Sequence, residues 1–375
     1  MKKVKLGEVI YLNMGQSPES DSYNSERQGI PFFQGNADFG KINPLVRLWC
    51  NKPTKIAKKN DILLSVRAPI GAINIANCEC CIGRGLCAIT PREKIISSKY
   101  LYFGLMGLKN YLISKGTGST FKAINKNILL EAEIPLPSLE EQKEIADRLD
   151  KVSSLIEKRK TQLTKLDQLI KSRFIEMFGE PLSNSNDYDL TDYGSLFELN
   201  AGGTPSKNKP EYWDNGSISW IGSNMCQDSI LYENDGKYIT ELGFNNSSAR
   251  KFPINTVLVA LVGATIGKTA LLKFETTTNQ NVLGIRGIEE SGNNPYFVFY
   301  YTQGLNKLFL DIGDGGFAMA SKGFISKLPF PIVDISLQNE FAEFVKLIDK
   351  SKLGIQKSIE KLETLKKSLM QQYFG

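Results

Sequence analysis

The chain of 375 residues is 41% hydrophobic and 23% charged and carries a formal net charge of +6. This composition is typical of a globular protein of two or three domains, and its mildly basic charge is compatible with an anionic partner without identifying one. The absence of histidine excludes Ser-His-Asp and Cys-His catalytic groups and every histidine-ligated zinc site.

The amino-terminal segment reaches Gly and polar residues too early for a secretory signal peptide. The longest apolar run, residues 257–262, is too short to cross a bilayer. We therefore expect a cytoplasmic protein with reduced thiols. Cys78, Cys80 and Cys81 form a C-x-C-C cluster without the C-x2-C pairs of a zinc site. Buried thiols on a strand are expected, and a metal site is the alternative.

The first predicted elements are short strands joined by polar turns. IPFFQGNADF (30–39) predicts a strand and a polar loop, and DILLSV (61–66) predicts an apolar strand that ends at a Gly turn. YLYFGLMGLKNYL (100–112) predicts a short aromatic-rich helix. The next loop, SKGTGSTFKAINK (114–126), carries Ser, Thr, Gly and Lys, which suit contacts with phosphates and base edges. An ordinary surface turn has the same composition.

A long helix is predicted next. Ser138 and Glu141 fit a capping box. Apolar residues then recur at alternating spacings of four and three, which indicates a heptad seam interrupted by Arg159 and Arg173. The seam consists of Ile145, Leu149, Val152, Ile156, Leu163, Leu166, Ile170 and Met177.

The same order of elements then recurs. ISWIGSNMCQ (218–227), VLVALV (257–262), YFVFYYTQGLNKLFL (296–310) and the loop GDGGFAMASKGFISK (313–327) match the earlier segments in type and order. A second heptad seam follows, with Lys352 and Lys366 as its polar positions. The second seam consists of Phe341, Val345, Ile348, Ile355, Ile359, Leu362, Leu369 and Tyr373.

These matches define an internal repeat. An offset of 196 residues relates the helices and the Gly turns SVRAPIGAI (65–73) and LVGATIGKT (261–269). Near the start of each copy the offset is 187, which places the Gly-Gln-Ser-Pro of 15–18 on the Gly-Gly-Thr-Pro of 202–205. Two matching heptad helices are expected to pair, and a two-fold relation between the halves would make the pair antiparallel. The alternative is that each helix packs only on its own globular part.

Two motifs resemble enzyme signatures. LVGATIGKT approaches the phosphate-binding pattern G-x-x-x-x-G-K-[ST] but has three residues between its glycines instead of four. Its Lys268 faces Ala72 in the sister copy, so a phosphate-gripping lysine would have no counterpart. NNPYF (293–297) resembles the D/N-P-P-Y site of amino-methyltransferases but lacks the second Pro. Pro295 is better placed in the first turn of a helix.

The two copies differ most in their loops. At a constant offset of 196, Arg67 faces Gly263, Ala72 faces Lys268 and Arg84 faces Gln280. A duplicated enzyme would repeat its catalytic residues. A duplicated reader of two different sequences would repeat its scaffold and vary its contacts, and Gln, Asn, Arg and Lys are side chains that pair with base edges.

With these features the chain resembles the specificity subunit of a type I DNA restriction–modification system. The resemblance is carried by the I-P-L-P…E-Q…I-A junction (134–146, weaker at 328–342), the strand–Gly turns (62–71 and 257–267), NQNVLGI (279–285) and the duplicated order. The second junction departs from the pattern, because it lacks the Glu before Gln and holds two extra residues. This leaves the start of the second helix open by about a turn.

The resemblance implies two target-recognition domains, each reading half of a split sequence in double-stranded DNA, with the helices as spacer and docking surface. It also implies two modification subunits that bind S-adenosylmethionine and methylate adenine, and restriction subunits with ATP-driven translocation, nuclease activity and Mg²⁺. This chain itself would hold no cofactor and no catalytic residue. Half-sites are expected about 10 bp apart, so that both domains enter the major groove from one side.

We therefore predict an α/β (α+β) fold of two globular target-recognition domains separated by two long antiparallel paired helices. The predicted boundaries are 1–137 and 182–331 for the domains, and 138–181 and 332–375 for the spacer helices. The candidate DNA contacts are Gln34, Asn36, Arg67, Arg84, Thr120 and Lys122 in the first domain, and Lys207, Ser223, Asn224, Lys268, Gln280 and Lys322 in the second.

Two other functions are left open by the sequence. One is a nucleotide-binding enzyme that uses residues 263–269. The other is a coiled-coil structural adaptor without DNA recognition. Within the favoured class, a methylation system without a nuclease is a further possibility.

Overall fold

The computed structural model describes residues 2–118, 122–312 and 319–375. The chain divides into two compact units. The first unit comprises Met1–Thr161 and Gln356–Gly375, and the second comprises Gln162–Ile355. Each unit therefore contains one globular copy together with a part of each long helix.

In its described residues the first copy contains short strands and four short helices ahead of its long helix. In chain order they are β1 (Lys3–Lys5), α1 (Leu6–Val9), β2 (Ile10–Met14), β3 (Tyr23–Asn24), β4 (Ile30–Phe33), β5 (Leu48–Cys50), β6 (Ile56–Ala57), β7 (Ile62–Ser65), β8 (Ile73–Ile75), β9 (Cys80–Ile82), β10 (Leu86–Pro91), α2 (Ser98–Gly107), α3 (Lys109–Lys115), α4 (Lys126–Glu131), β11 (Glu133–Pro135) and the long helix α5 (Leu139–Phe178).

The second copy follows this order with one added short helix and one differently placed strand. Its elements are β12 (Leu190–Asp192), α6 (Tyr193–Leu196), β13 (Glu198–Ala201), β14 (Ile218–Ile221), β15 (Ser229–Leu231), β16 (Tyr238–Ile239), α7 (Glu241–Asn245), β17 (Lys251–Phe252), β18 (Val257–Ala260), β19 (Thr269–Leu272), β20 (Thr276–Thr278), β21 (Val282–Arg286), α8 (Pro295–Gly304), α9 (Asn306–Leu310), α10 (Lys322–Ser326), β22 (Pro329–Pro331) and the long helix α11 (Ile335–Phe374).

The sheets of the two copies match in strand order except for one edge strand in each, β3 in the first copy and β15 in the second. The first copy has the order β2-β10-β7-β8 in one sheet and β3-β5-β4-β9-β6 in another, with β1 paired to β11. The second copy has β13-β21-β18-β19-β15 and β16-β14-β20-β17, with β12 paired to β22. In both copies the second sheet contains a parallel pair, β4 with β9 and β14 with β20. The duplicated frame predicted from the sequence is therefore confirmed at the level of strand pairing.

Cys50, Cys80, Cys81 and Cys87 of the first copy lie on strands and are buried. Cys80 and Cys81 are fully buried on β9, in agreement with the strand interpretation, and Cys78 is half-buried just before the strand. Burial raises the pKa of the Cys80 thiol to about 12. At neutral pH this thiol is therefore protonated and a poor nucleophile.

The two long helices begin at matching places. The Ser138 Oγ accepts a hydrogen bond from the Glu141 N–H at 3.3 Å, and the Glu141 carboxylate accepts from the Ser138 N–H at 2.9 Å, which confirms the capping box. In the second helix Asp334 takes this place and accepts from the Ser336 N–H at 2.7 Å. The helix starts, Leu139 and Ile335, keep the offset of 196, so the altered second junction does not displace the helix.

Segments of the two long helices run antiparallel within the first unit. Lys160 Nζ lies 3.0 Å from Glu363 Oε1, and Arg148 Nη1 donates to Tyr373 Oη at 3.3 Å. Residue numbers therefore rise along one helix as they fall along the other. In this unit Ile145, Leu149 and Tyr373 also belong to the hydrophobic core of the first copy.

The second unit contains an equivalent antiparallel pair. Lys352 Nζ donates to Asp167 Oδ1 at 2.6 Å, and Arg173 Nη2 lies 2.9 Å from Glu340 Oε1. Phe341 packs edge-on against Phe174, with ring centroids 5.3 Å apart, inside the core of the second copy. The helices therefore pair with one another, as predicted, and also pack on the globular copies. The alternative that each helix packs only on its own globular part is wrong.

The predicted seam residues occupy the covered faces of these helices. Ile145, Leu149, Val152, Ile156, Ile170, Phe341, Val345, Ile355 and Ile359 are buried, and Leu163, Leu166, Ile348, Leu362 and Leu369 are half-buried.

Candidate nucleic-acid interface

In the first copy, four backbone segments are hydrogen-bonded side by side at one edge. The Gly83 N–H donates to Phe33 O and the Gly85 N–H donates to Gln34 O, which joins the loops that follow β4 and β9. The Val66 N–H donates to Gly85 O, which adds the residues after β7. A bridge from Arg67 to Ala123 adds the loop before α4. We call this set of loops the first variable edge.

Five predicted contacts lie on this edge or in its loops. Gln34, Arg67, Arg84 and Lys122 are exposed, and Asn36 is half-buried in a short 3-10 turn after β4. The sixth, Thr120, lies outside the described residues. The edge requires glycine, because a Cβ on Gly85 would lie 2.5 Å from the carbonyl oxygen of Gln34.

The second copy builds the same edge. The Asn279 N–H donates to Ile221 O, and the Leu261 N–H donates to Asn281 O. A bridge from Val262 to Met319 takes the place of the one from Arg67 to Ala123. We call this set of loops the second variable edge.

The hydrogen bonds correct one sequence equivalence. Ser65 N–H donates to Ala72 O, as Ala260 N–H donates to Lys268 O, so the second Gly turn holds one more residue than the first. The extra residue lies in the 3-10 turn Gly263–Thr265. The prediction that Arg67 faces Gly263 is therefore wrong, because Arg67 is equivalent to Val262. The pairs Ala72 with Lys268 and Arg84 with Gln280 keep their predicted equivalence.

Side chains of the second edge hydrogen-bond to one another. Lys268 Nζ donates to Gln227 Oε1 at 2.9 Å, and Gln227 Nε2 donates to Asn224 O at 3.1 Å. Thr204 Oγ1 donates to Gln280 Oε1 at 2.6 Å. Asn224 and Gln280 are exposed, and Lys268 is half-buried. Gln227 therefore links Lys268 to Asn224, and Thr204 holds Gln280. Neither Gln227 nor Thr204 is among the contacts predicted from the sequence.

The remaining predicted residues lie in loops and turns of the second copy. Ser223 begins the short 3-10 turn after β14. Lys207 is exposed in the loop that also carries Thr204, and Lys322 is exposed at the start of α10. No hydrogen bond joins Lys207 or Lys322 to other predicted contacts within the described part of the chain.

The hydroxyl residue beside Gln280, Thr204, has a counterpart in the first copy. Thr204 and Ser17 occupy the same place in the repeated Gly-x-[Ser/Thr]-Pro segments. Ser17 Oγ accepts a hydrogen bond from the Arg84 N–H at 3.4 Å. In both copies this hydroxyl thus contacts the residue at the position of Arg84 or Gln280. The repetition of a hydroxyl within a repeated turn was the available signal.

The segment LVGATIGKT does not form a phosphate-binding loop. In a phosphate-binding loop the Gly-Lys-[Ser/Thr] segment leads into a helix, whereas Thr269 begins strand β19. The Thr269 N–H and Oγ1–H both reach Asp228 Oδ1, at 3.0 and 3.2 Å, so these donors are already used. The nucleotide-enzyme interpretation of residues 263–269 is therefore wrong.

The segment NNPYF likewise has a structural role. Pro295 lies in the first turn of α8, as predicted, and Asn294 caps the helix by accepting from the Tyr296 N–H at 3.0 Å. Asn293 Oδ1 accepts from the buried Gln338 Nε2 at 3.1 Å. The asparagines that resemble a methyltransferase motif are thus used to hold α8 against α11.

No helix among the described residues combines the length and the apolar character needed to span a membrane.

A protein-family model matches the chain twice. Residues 1–167 and 186–366 each match a model described as "Type I restriction modification DNA specificity domain". The two matches together cover most of the chain and coincide with the two copies of the repeat.

Curated relatives carry related descriptions. The chain is 46% identical over 172 residues to a Methanocaldococcus jannaschii protein assigned as the MjaX type I restriction enzyme specificity subunit, with 44% of this chain and 40% of that protein covered. It is 28% identical over 267 residues to the EcoR124I/EcoR124II specificity subunit of Escherichia coli, with 67% of this chain and 62% of that protein covered. These alignments thus span about 40 to 62% of the relatives' own length.

Solved structures share the fold. A crystal structure of the type I restriction–modification S subunit from M. genitalium covers all of this chain and 96% of that chain at a TM-score of 0.58 and 16% identity. A chain from a structural study of complex assembly in the type I restriction–modification system covers all of this chain and 97% of that chain, at a TM-score of 0.60 and 15% identity.

Proposed function

Since the chain belongs to the family of type I restriction–modification DNA specificity domains, we propose that it is a non-catalytic reader of a split DNA sequence. Each globular copy reads one half of the target in double-stranded DNA. The reading directs adenine methylation, and restriction where a nuclease subunit is present, by partner subunits in the cytoplasm.

The observation that carries the proposal is the pair of variable edges. Two backbone hydrogen bonds recur in both edges, yet the exposed side chains differ. One runs from the residue before Arg84 or Gln280, and the other runs to the carbonyl of the residue after it. Side chains on a shared frame can change base preference without changing the fold. The proposed contacts are the predicted ones: Gln34, Asn36, Arg67, Arg84, Thr120 and Lys122 for one half-site, and Lys207, Ser223, Asn224, Lys268, Gln280 and Lys322 for the other.

The long helices are the proposed docking surface for two modification subunits. Besides their buried seams they expose apolar side chains, among them Leu155, Leu169 and Leu347. Leu347 is 68% exposed, although other faces of its helix are buried. Exposed apolar residues of this kind are typical of protein–protein contact surfaces. S-adenosylmethionine, ATP and Mg²⁺ would be bound by the partner subunits, since this chain supplies sequence recognition.

The test is to map methylated adenines in DNA from cells that carry this chain and its modification partner. We expect one split motif. Replacing residues 182–331 with the equivalent domain of a related specificity subunit should change one half of the motif and leave the other half unchanged. A matched exchange of residues 1–137 should change the opposite half. An unsplit motif, or a change in both halves after one exchange, would contradict the proposal.

A second measurement separates base reading from phosphate contact. If Lys207 and Lys322 contact phosphates, Lys207→Ala and Lys322→Ala should weaken binding of the assembled complex to all duplexes alike and reduce the salt dependence of binding. If they contact bases, the loss should fall on the target duplex. Fluorescence anisotropy with target and scrambled duplexes at two salt concentrations gives both quantities. If the complex with the unmodified chain shows no preference among duplexes, the chain is a structural adaptor and the proposed reading is wrong.

A further inference from the structure

Arg84 and Gln280 occupy one structural position in the two copies. Each lies between the two residues that join the edge, Gly83 and Gly85 in the first copy and Asn279 and Asn281 in the second. The N–H of the preceding residue donates to the end of β4 or β14, and the carbonyl of the following residue accepts from the strand that ends at the Gly turn. The backbone at this position is therefore fixed from both sides.

The side chain at this position is exposed in both copies, although its neighbours in the chain are covered. Gly83 and Gly85 are buried, whereas Arg84 between them is exposed. Asn279 and Asn281 are half-buried, and Gln280 between them is exposed. The Arg84 guanidinium has no partner within the described part of the chain. A side chain that projects from a backbone fixed on both sides meets the geometric requirement for a specific contact.

A hydroxyl residue supports this position in each copy. Ser17 Oγ accepts from the Arg84 N–H at 3.4 Å and does not engage the guanidinium. Thr204 Oγ1 donates to Gln280 Oε1 at 2.6 Å and orients the amide. The amide oxygen retains a second lone pair, and the Nε2 group keeps its donors, so Gln280 can still form a pair of hydrogen bonds.

The two side chains pair with different bases. A guanidinium donates two parallel hydrogen bonds to O6 and N7 of guanine. A glutamine amide donates to N7 and accepts from N6 of adenine. Both patterns are read in the major groove, and neither side chain satisfies the pattern of the other.

We propose that Arg84 and Gln280 read equivalent positions of the two half-sites, Arg84 a G·C pair and Gln280 an A·T pair. Ser17 and Thr204 act as positioning residues for them. This assignment rests on the proposed function and adds to it the identity of one base pair in each half.

The main experiment maps methylated adenines for loss and exchange variants expressed with the modification partner. Gln280→Ala should lower discrimination at one A·T pair of the second half by about 5- to 150-fold, which corresponds to one bidentate contact. Gln280→Arg should shift preference at that pair toward G·C. Arg84→Ala should lower discrimination at one G·C pair of the first half by a similar factor. Arg84→Gln should shift preference at that pair toward A·T. The controls Glu93→Gln and Glu290→Gln alter exposed residues away from the edges and should leave the motif intact.

The positioning role has a separate test. Thr204→Val keeps the side-chain shape and removes the hydroxyl, so it should lower discrimination at the pair read by Gln280 by less than Gln280→Ala does. Thr204→Ser keeps the hydroxyl and should therefore keep the discrimination of the unmodified chain at that pair. The first half of the motif should stay unchanged in both variants, which a general loss of folding would not produce.

The outcomes separate the two levels of the proposal. If the unmodified chain gives an unsplit motif, the proposed function fails. If it gives a split motif that Gln280→Ala and Arg84→Ala leave unchanged, only this assignment fails. If a variant abolishes methylation, the affinity of the assembled complex for duplexes of different sequence is measured instead. Equal weakening for all sequences would overturn base reading, and selective loss at one base pair would support it.

Discussion

The two globular copies share a backbone frame and differ in the side chains placed on it. Gly15 and Gly202 donate to equivalent carbonyls, those of Leu86 and Val282, at 2.9 and 3.0 Å. In the loop after β9 of the first copy the exposed residue is Arg84, and in the equivalent loop after β20 of the second copy it is Gln280. The strand pairing is thus constant while the exposed groups at one edge vary.

This difference shows how a duplicated fold can acquire two specificities. Backbone hydrogen bonds hold the edge together whatever its exposed side chains are, provided that the close approaches keep their glycines. Side chains at the tips can then change with little effect on stability. Buried positions do not have this freedom, and they supply the largest expected effects below.

The largest effect is expected at the aromatic core of the second unit. Phe341 is fully buried against Phe174, Phe178 and Tyr300, with ring centroids 5.3 to 5.6 Å away. Phe341→Ala should lower the free energy of unfolding of this unit by about 4 kcal/mol because it leaves a cavity. Hydrogen exchange in β18 and β21 should report the loss. An equal loss of protection in β7 and β10 would show that the two units do not unfold separately.

A similar loss is expected in both copies at the buried glutamines. Gln142 Oε1 accepts from the Ser97 N–H at 2.9 Å, and Gln338 Oε1 accepts from the Asn294 N–H at 2.8 Å. Gln142→Ala and Gln338→Ala each leave buried partners unsatisfied, so each should lower the free energy of unfolding by about 3 kcal/mol. Denaturant unfolding measures the change, with exposed Lys143→Ala as control. Clearly unequal losses would break the equivalence of the two copies at this position.

A smaller effect is expected at the helix caps. Ser138→Ala removes the hydroxyl that accepts from the Glu141 N–H and should cost about 1 kcal/mol. Asp334→Ala should cost a similar amount at the start of α11. Thermal unfolding of both variants gives the comparison. Ser138→Asp, which keeps a capping acceptor, should retain most of the stability.

The smallest effect is expected at Asp349 of the second long helix, where the first long helix has Ser153. Asp349 is buried with Oδ2 unpaired within the described residues, whereas its counterpart Ser153 donates to Leu149 O at 2.8 Å. Burial raises the pKa of the Asp349 carboxyl, partly opposed by Lys352. Its protonated form is therefore favoured in the fold, and its contribution to stability falls as pH rises through that pKa.

Asp349→Asn should accordingly give a small gain in stability at pH 7 that fades toward acid pH. Melting temperatures measured from pH 4 to pH 7 give the trend, and Asp214→Asn serves as a control because Asp214 is exposed in a loop of the same unit. A loss of stability at pH 7 would mean that the interaction with Lys352 outweighs the cost of burying the charge.

Much of the fold was predictable from local patterns. The period of the apolar residues gave both long helices, and Ser138 with Glu141 marked where the first begins. The Gly turns and the short strands were predictable because turn chemistry and side-chain alternation act over a few residues. The repeat then gave the family, because the same order of weak signals occurs twice.

The details of the candidate site depended on contacts between distant residues. Thr204 and Gln280 are 76 positions apart, and Gln227 and Lys268 are 41 apart, so no local pattern brings either pair together. The single extra residue in the second Gly turn is evident only from the backbone hydrogen bonds. They show that the residue equivalent to Arg67 is Val262 and not Gly263.

The sequence by itself therefore determined the duplication, the helices and the residue types at the variable edges, because these follow from periodicity and local turn chemistry. Only the tertiary structure decided which loops share an edge, which hydroxyl supports Arg84 or Gln280, and which residues are equivalent between copies. The physical reason is that strand register and side-chain hydrogen bonds are set where distant segments meet, and the chain order does not specify that meeting residue by residue.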